Sequence, residues 1–165
     1  MLSEDASFYN VIQQAWPQVG SREKDAFVLR LVSPPFINLT TGKLRGIVNI
    51  IYLTDKSCSD CYDVHKHKEI LTSEQSFAVK LDKEETFDVS DAKGKELIVK
   101  CNITLAPTII LSDEISVYPS IYALKRFFSV EKDGSYIFRL LSAVGTYKDL
   151  TKNEVLKAPQ ASQEQ

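Results

Sequence analysis

Two cysteines separated by two residues, Cys58 and Cys61, constrain the fold of this chain more than any other feature. They follow its most apolar run, Val48 to Leu53, which contains one polar residue and predicts a strand buried on both faces. The residues after this run have a helix-like pattern, and we predict a helix from Cys58 to about Leu71. The cysteine pair is therefore expected at the junction of a strand and a helix.

A proline-containing segment later in the chain complements the cysteine pair. Ala106, Pro107 and Thr108 stand directly before an apolar run that predicts a strand from Thr108 to Leu111. In open α/β sheets, functional sites form at the carboxyl ends of strands, and Cys58 lies just beyond such an end. A strand, a CxxC pair and a distant X-Pro-Thr before another strand are together what a thiol–disulfide site needs.

Size, charge and cysteine content limit the other classes of function. The chain has 165 residues, enough for one domain with a real core, and its net charge of −2 shows no basic surplus for nucleic acid or an anionic membrane. Three cysteines are too few for a disulfide scaffold. No run reaches the ~18 apolar residues of a membrane span, and residues 1–26 contain no apolar signal core. We expect a soluble chain, which would also fit the soluble part of an exported or membrane-anchored protein; the compartment is not indicated.

Strand and helix patterns alternate along the chain, which predicts an α/β class with a mixed sheet. We expect an N-terminal extension over residues 1–26, a domain over residues 27–150 and a polar, disordered tail over residues 151–165. The extension would contain a short helix that ends at Pro17. Further strands are predicted at 26–32, 36–39, 77–81, 86–89 and 136–141, and further helices at 91–100, with Leu97 and Val99 toward the core, and from Pro119 through Phe128.

The predicted helix start assigns different roles to the two cysteines. Ser57 would cap the helix, so that Cys58 becomes its first residue and its thiolate is stabilised by unpaired amides and the helix dipole. Cys61 lies one turn later, near enough to form an intramolecular disulfide. Cys58 would then attack a substrate disulfide and Cys61 would resolve the mixed disulfide.

Acidic neighbours are expected to moderate this activation. Ser57 and Asp60 fit a capping box, in which Asp60 competes with the thiolate for positive potential. Asp55 adds a second negative charge, and only Lys56 opposes them in the local sequence. We expect a Cys58 that is less acidic than a helix start alone would make it, which is typical of a reductase rather than a strong oxidant.

The segment from Ile47 to Leu111 resembles the thioredoxin superfamily in its apolar strand, CxxC motif, helix and Ala106-Pro107-Thr108 strand start. The resemblance implies a thioredoxin-like fold with a central mixed β-sheet flanked by helices. It also implies that Pro107 is a cis-proline beside the disulfide. In that family the residues around this proline, here Ala106 and Thr108, offer backbone hydrogen bonds to an extended substrate.

The chain departs from the family pattern near the cysteines. Ser57 replaces the tryptophan before the first cysteine, and the intervening dipeptide is Ser59-Asp60. Tyr52 stands where thioredoxins carry a buried acid that assists proton transfer to the resolving cysteine. The resemblance therefore implies a divergent member in which that proton transfer is uncertain.

Zinc binding is the chemical alternative, because His65 and His67 follow the two cysteines. On one continuous helix His65 would fall near the face of Cys58 and Cys61, whereas His67 would point to the opposite side, so the four cannot ligate one ion. We therefore expect no bound metal ion. His65 is expected to be a polar residue that flanks the site, with proton shuttling as its alternative role, and His67 is expected to be solvated. Cys101 is expected to be a small core residue, with a regulatory or substrate-trapping thiol as the alternative.

The function that these patterns predict is thiol–disulfide exchange on protein disulfides. Cys58 and Cys61 would be catalytic, Ala106, Pro107 and Thr108 would bind substrate, and Ser57, Asp60 and His65 would modulate the site. No dissolved cofactor is needed, because electrons would come from a partner thiol or a reductase. The alternative is a non-catalytic thioredoxin-like module for binding or assembly, in which the CxxC is a structural staple. The sequence does not fix the direction of electron flow, the partner or the oligomeric state.

Overall fold

The computed structural model describes residues 2–3, 10, 14, 16–17, 20–24, 26–29 and 33–158. Its strands are β1 (Leu2–Ser3), β2 (Gly20–Glu23), β3 (Ala26–Leu29), β4 (Phe36–Asn38), β5 (Lys43–Arg45), β6 (Ile47–Thr54), β7 (Lys80–Asp88), β8 (Leu105–Ala106), β9 (Thr108–Leu111), β10 (Phe128–Val130), β11 (Tyr136–Phe138), β12 (Tyr147–Asp149) and β13 (Glu154–Leu156). Its α-helices are α1 (Lys66–Thr72), α2 (Ala92–Lys100) and α3 (Ile121–Leu124), and 3₁₀ helices span Asp113–Val117, Lys125–Phe127 and Leu141–Ala143.

A five-stranded mixed sheet in the order β10-β11-β9-β6-β7 forms the centre of the domain. β6 pairs parallel with β7 on one side and antiparallel with β9 on the other. A strand with neighbours on both edges and packing on both faces needs apolar side chains throughout, which explains the apolar run that predicted it. The mixed sheet confirms the predicted α/β class.

The core lies on both faces of this sheet. Val48, Ile50 and Tyr52 belong to the larger apolar cluster, whereas Leu53 belongs to a second cluster that includes Leu97 and Cys101. Side chains of a strand alternate between faces, so Tyr52 and Leu53 necessarily point into different clusters. Cys101 is 1% exposed, which confirms its prediction as a core residue, and burial raises the pKa of its thiol.

α2 confirms the helix predicted at 91–100, and it packs closely against the end of β7. Gly94 permits this contact, because a Cβ atom at this position would lie 1.9 Å from the carbonyl oxygen of Asp88. Leu97 is buried as predicted. Val99 is 82% exposed, so its predicted core position is wrong: the helix turns it away from the sheet.

The predicted helix from Cys58 is wrong in its first half. Residues 58–65 form turns and irregular structure, and α1 begins only at Lys66, because amides of this segment are bonded to the Asp63 side chain and to the distant Thr146 carbonyl. The two short strands predicted at 77–81 and 86–89 are one strand, β7, which pairs along the length of β6. The helix predicted from Pro119 is shorter, because Phe128 already begins β10, which pairs with β11.

Smaller sheets are also present: β1-β3-β2, β13-β12-β8, and the hairpin of β4 and β5. The strand predicted at 36–39 is present as β4, and it forms a hairpin with β5. Part of the predicted tail is ordered, since Glu154–Leu156 pairs with β12, whereas residues 159–165 lie outside the described residues. Most of the predicted N-terminal helix also lies outside them. In the part of the chain that the structure describes, no helix has the length and apolar character needed to cross a membrane.

Replacing Gly94 by alanine should destabilise the protein although alanine favours helices. The added methyl group would overlap the Asp88 carbonyl, and the resulting displacement of α2 from β7 should lower the free energy of unfolding by about 2 kcal/mol. Urea denaturation measures the effect, with Lys95→Ala on the exposed side of the same helix as the control. Equal stabilities of the two variants would contradict this account of the α2 contact.

Candidate functional site

The structure brings the two sequence features to the same edge of the central sheet. Thr108 at the start of β9 pairs with Leu53 near the end of β6, and the two strands are antiparallel. The chain that leaves β6 toward the cysteines and the chain that enters β9 from Pro107 therefore emerge at one edge. Ala106 and Thr108 are buried, and the peptide bond between Ala106 and Pro107 is cis, the isomer that the family resemblance implies.

Cys58 and Cys61 are joined by a disulfide with an S–S distance of 2.03 Å. Cys58 is 9% exposed, Cys61 is half-buried, and Ser59 and Asp60 between them are exposed. The amide of Cys61 donates to the carbonyl oxygen of Cys58 at 3.3 Å, which closes a turn between the two cysteines. The disulfide therefore closes a small turn whose two middle residues are exposed.

Ser57 and Asp60 do not cap a helix, which corrects their predicted local contacts. Ser57 donates its backbone amide and its hydroxyl to Oδ1 of Asp55, at 2.8 and 2.5 Å. Asp60 instead accepts from the Ser59 hydroxyl at 3.1 Å. Because no helix begins at Cys58, the helix dipole does not stabilise its thiolate, and the predicted capping box is absent.

A buried ion pair holds the start of the loop. Nζ of Lys148 lies 2.7 Å from the hydroxyl oxygen of Ser57 and 3.4 Å from Oδ2 of Asp55, and the Lys148 and Asp55 side chains are 14% and 2% exposed. Within the described part of the chain Oδ2 accepts no hydrogen bond, so it depends on this charge contact. A buried carboxylate needs such compensation, because removal from water strongly disfavours its charged form.

Sequence reasoning missed Lys148, because it lies 91 residues from Ser57 and no local pattern marks it. It reaches the loop through strand pairing: β12 pairs with β8, and Lys148 is the register partner of Ala106. The same segment also holds the far end of the loop, where the Tyr62 amide donates to the Thr146 carbonyl at 2.8 Å. β12 therefore links the disulfide loop to the segment before Pro107.

The predicted substrate segment has one open edge. In the three-stranded sheet β13-β12-β8, β8 has β12 on one side and no neighbouring strand on the other among the described residues. Thr108 is held from the domain side, since its hydroxyl donates to the carbonyl oxygen of Phe138 at 2.6 Å. The backbone edge of β8 opposite β12 is therefore the one without a strand partner among the described residues.

His65 lies between Cys61 and α1, and its contacts are with Asp63, Thr86 and Tyr52. Its Nδ1 is 3.0 Å from Oδ1 of Asp63, its Nε2 is 3.3 Å from the Thr86 hydroxyl, and its ring lies 4.5 Å from the ring of Tyr52. The Tyr52 hydroxyl donates to Glu84, and burial, reinforced by this acidic partner, raises the tyrosine pKa well above its usual value. Tyr52 therefore stays protonated at neutral pH, with its hydroxyl directed at Glu84.

His67 is buried, so its predicted solvated position is wrong. Its side chain lies between the rings of Tyr62 and Phe138, with centroid distances of 5.6 and 4.6 Å. Because α1 begins only at Lys66, His67 does not lie on one continuous helix with the two cysteines. Burial lowers the histidine pKa to about 4, and Nε2 has no hydrogen-bond partner in the described part of the chain. Among residues 33–158 and the other described positions, no group of three or more His, Cys, Asp or Glu side chains could hold a metal ion.

Lys148→Met should destabilise the domain by leaving the Asp55 carboxylate without its cation. We expect the free energy of unfolding to fall by about 3 kcal/mol, measured by urea denaturation. Adding Asp55→Asn to this variant should restore part of the loss, because the buried charge is then removed. Lys56→Met, at an exposed neighbouring lysine, is the matched control. A double variant no more stable than Lys148→Met would contradict the ion-pair explanation.

The burial of neutral His67 should make stability depend on pH. The folded state has a pKa of about 4, below the ~6.5 of an unfolded histidine, so the unfolded state binds more protons between these values. The contribution of neutral His67 to the free energy of unfolding is complete above pH ~6.5. It should be lost as pH falls toward 4, at about 1.4 kcal/mol per pH unit over most of that range. Urea denaturation across this range should show the slope in the wild type and in His65→Leu, and a reduced slope in His67→Leu. An unchanged slope in His67→Leu would assign it to other groups.

Comparisons with known proteins do not assign this chain to a family. No family model matches the chain, and no match was found among curated proteins or solved structures. The site is defined by its own residues: a disulfide at CxxC spacing, on a loop fixed at both ends and linked through β12 to the Ala106–Pro107 segment.

Proposed function

We propose that this protein is a thiol–disulfide oxidoreductase that acts on protein disulfides, and that it is a divergent, thioredoxin-like member of that superfamily. One observation carries the proposal: the Cys58–Cys61 disulfide lies at the sheet edge from which the Ala106–Pro107 segment also emerges. Cysteines at this spacing exchange electrons through a mixed disulfide without a dissolved cofactor. The open edge of β8 offers an extended substrate the backbone groups that the resemblance assigns to this segment.

In the reducing direction, the Cys58 thiolate attacks one sulfur of a substrate disulfide. The substrate S–S bond breaks, its other sulfur leaves as a thiolate that takes up a proton, and a mixed disulfide forms on Cys58. Cys61, after losing its proton, then attacks the sulfur of Cys58 and releases the second substrate thiol. Two electrons pass from the cysteine pair to the substrate, and a partner dithiol restores the reduced pair.

The charges around the loop favour the reductase direction. Strong oxidants owe their potential to a strongly stabilised thiolate, and a helix N-terminus is one main source of that stabilisation. Here α1 begins eight residues after Cys58, and the carboxylates of Asp55 and Asp60 lie on the same loop. The ammonium of Lys148 compensates Asp55, which leaves only moderate positive potential for the Cys58 thiolate.

A second candidate is a non-catalytic thioredoxin-like module for binding or assembly. The low exposure of Cys58, 9%, favours it, because exchange requires an approach to a cysteine sulfur. In this case the disulfide fixes the loop and the open edge of β8 binds a partner. The two candidates differ in whether the cysteine pair cycles between its oxidised and reduced forms.

The reduction potential of the Cys58–Cys61 pair tests the proposal. In a Cys101→Ser background, equilibration with glutathione followed by thiol counting should show a reversible two-electron couple between about −270 and −200 mV. Cys61→Ser should accumulate a mixed disulfide with a disulfide-containing protein, whereas Cys58→Ser should not. A pair without a reversible couple would favour the binding module, and trapping only by Cys58→Ser would exchange the roles of the two cysteines.

A further inference from the structure

The hairpin of β4 and β5 exposes three large apolar side chains at one end of the domain. Ile37 and Leu44 are direct cross-strand partners and are 62% and 58% exposed, and Leu39 in the connecting turn is 94% exposed. Cross-strand partners lie on the same face of a two-stranded sheet. We call Ile37, Leu39 and Leu44 the apolar tip.

The turn that carries Leu39 is held by its own hydrogen bonds. Oδ1 of Asn38 accepts from the amides of Thr40 and Thr41, at 3.0 and 3.1 Å, and the Asn38 carbonyl accepts from the Gly42 amide at 2.7 Å. Gly42 has a φ of +67°, a conformation that glycine adopts at little cost. The apolar tip is therefore preformed, and little conformational entropy remains to be lost when it binds.

The base of the hairpin is fixed to the domain. Nε of Arg45 donates to both carboxylate oxygens of Glu114, at 2.8 and 3.0 Å, and the Gly46 amide donates to Oε2 of Glu114 at 2.6 Å. Charge-assisted contacts of this kind define orientation as well as add stability. The hairpin consequently projects its apolar tip in one direction relative to the central sheet.

The charges of the hairpin add a second constraint on its partner. Residues 26–54 contain no Asp or Glu. Arg45 is already paired with Glu114, whereas Lys43, next to Leu44, is exposed and makes no ion pair with any described residue. A surface with anionic groups above an apolar layer would therefore meet an apolar tip and a free ammonium group, whereas the Glu114 carboxylate at the base of the hairpin is paired with Arg45.

We propose that this hairpin inserts Ile37, Leu39 and Leu44 into the interface of a lipid bilayer, with Lys43 at the level of the headgroup phosphates. Three side chains on a narrow hairpin offer much less area than the ~800 Å² per partner of a standard protein interface. A bilayer needs no matching shape and accepts apolar side chains below its headgroups. This inference is independent of the cysteine chemistry.

Vesicle sedimentation tests the proposal with the full chain. The wild type should sediment with phosphatidylcholine vesicles, because apolar insertion does not need lipid charge, and more strongly when phosphatidylglycerol is added. Ile37→Ser/Leu39→Ser/Leu44→Ser should weaken the partition by at least about tenfold, since each exposed apolar side chain contributes through the area it buries. Lys43→Ser should mainly remove the added effect of phosphatidylglycerol.

The matched control is Val99→Ser/Tyr122→Ser, which removes two apolar side chains, each 82% exposed, away from the hairpin. This variant should sediment like the wild type. The proposal is overturned if the wild type sediments with neither vesicle, or if the control loses as much binding as the hairpin variant. It is also overturned if light scattering shows that the apolar tip holds two copies of the chain together and vesicles bind neither the wild type nor the hairpin variant.

Discussion

The burial of β6 on both faces and along both edges is the constraint on which the rest of the structure depends. A strand in this position cannot shift by one residue without moving Tyr52 and Leu53 into each other's clusters. Its end is therefore fixed, and with it the point where the chain enters the disulfide loop. The antiparallel pairing of Leu53 with Thr108 fixes Pro107 at the same edge. The packing and pairing of β6 therefore determine the position of the candidate site, and contacts within the loop are not needed for this.

Polar contacts from distant segments, rather than a regular helix, hold the disulfide loop. Asp55 binds Ser57 through Oδ1 and faces Lys148 of β12 with Oδ2, and Thr146, directly before β12, supplies the carbonyl that accepts from Tyr62. A loop of this kind can leave the cysteines outside a helix because its backbone groups find partners elsewhere. The electrostatics of the site therefore depend on Lys148 of β12 as well as on the acidic residues of the loop.

The features predicted correctly from the sequence are those set by local patterns. The apolar run of β6 and the spacing of α2 are visible in a few consecutive residues, and both are present. The start of α1 was not predictable in this way, because the turns before it depend on Asp55 and on the distant carbonyl of Thr146. The burial of His67 against Phe138, and the contact of Lys148 with the loop, likewise depend on strands brought together only by folding.

The attachment of the loop at both ends has a consequence for the reduced protein. The contacts of Asp55 and Lys148 lie before Cys58, and the hydrogen bond from the Tyr62 amide to Thr146 lies directly after Cys61. Neither attachment therefore requires the disulfide itself. When the S–S bond opens, the two thiols stay confined to a short segment with fixed ends. Their effective concentration toward each other therefore remains high, because little chain entropy is gained when the bond breaks. When a mixed disulfide forms on one of the two cysteines, attack by the other would therefore compete efficiently with attack by a thiol free in solution.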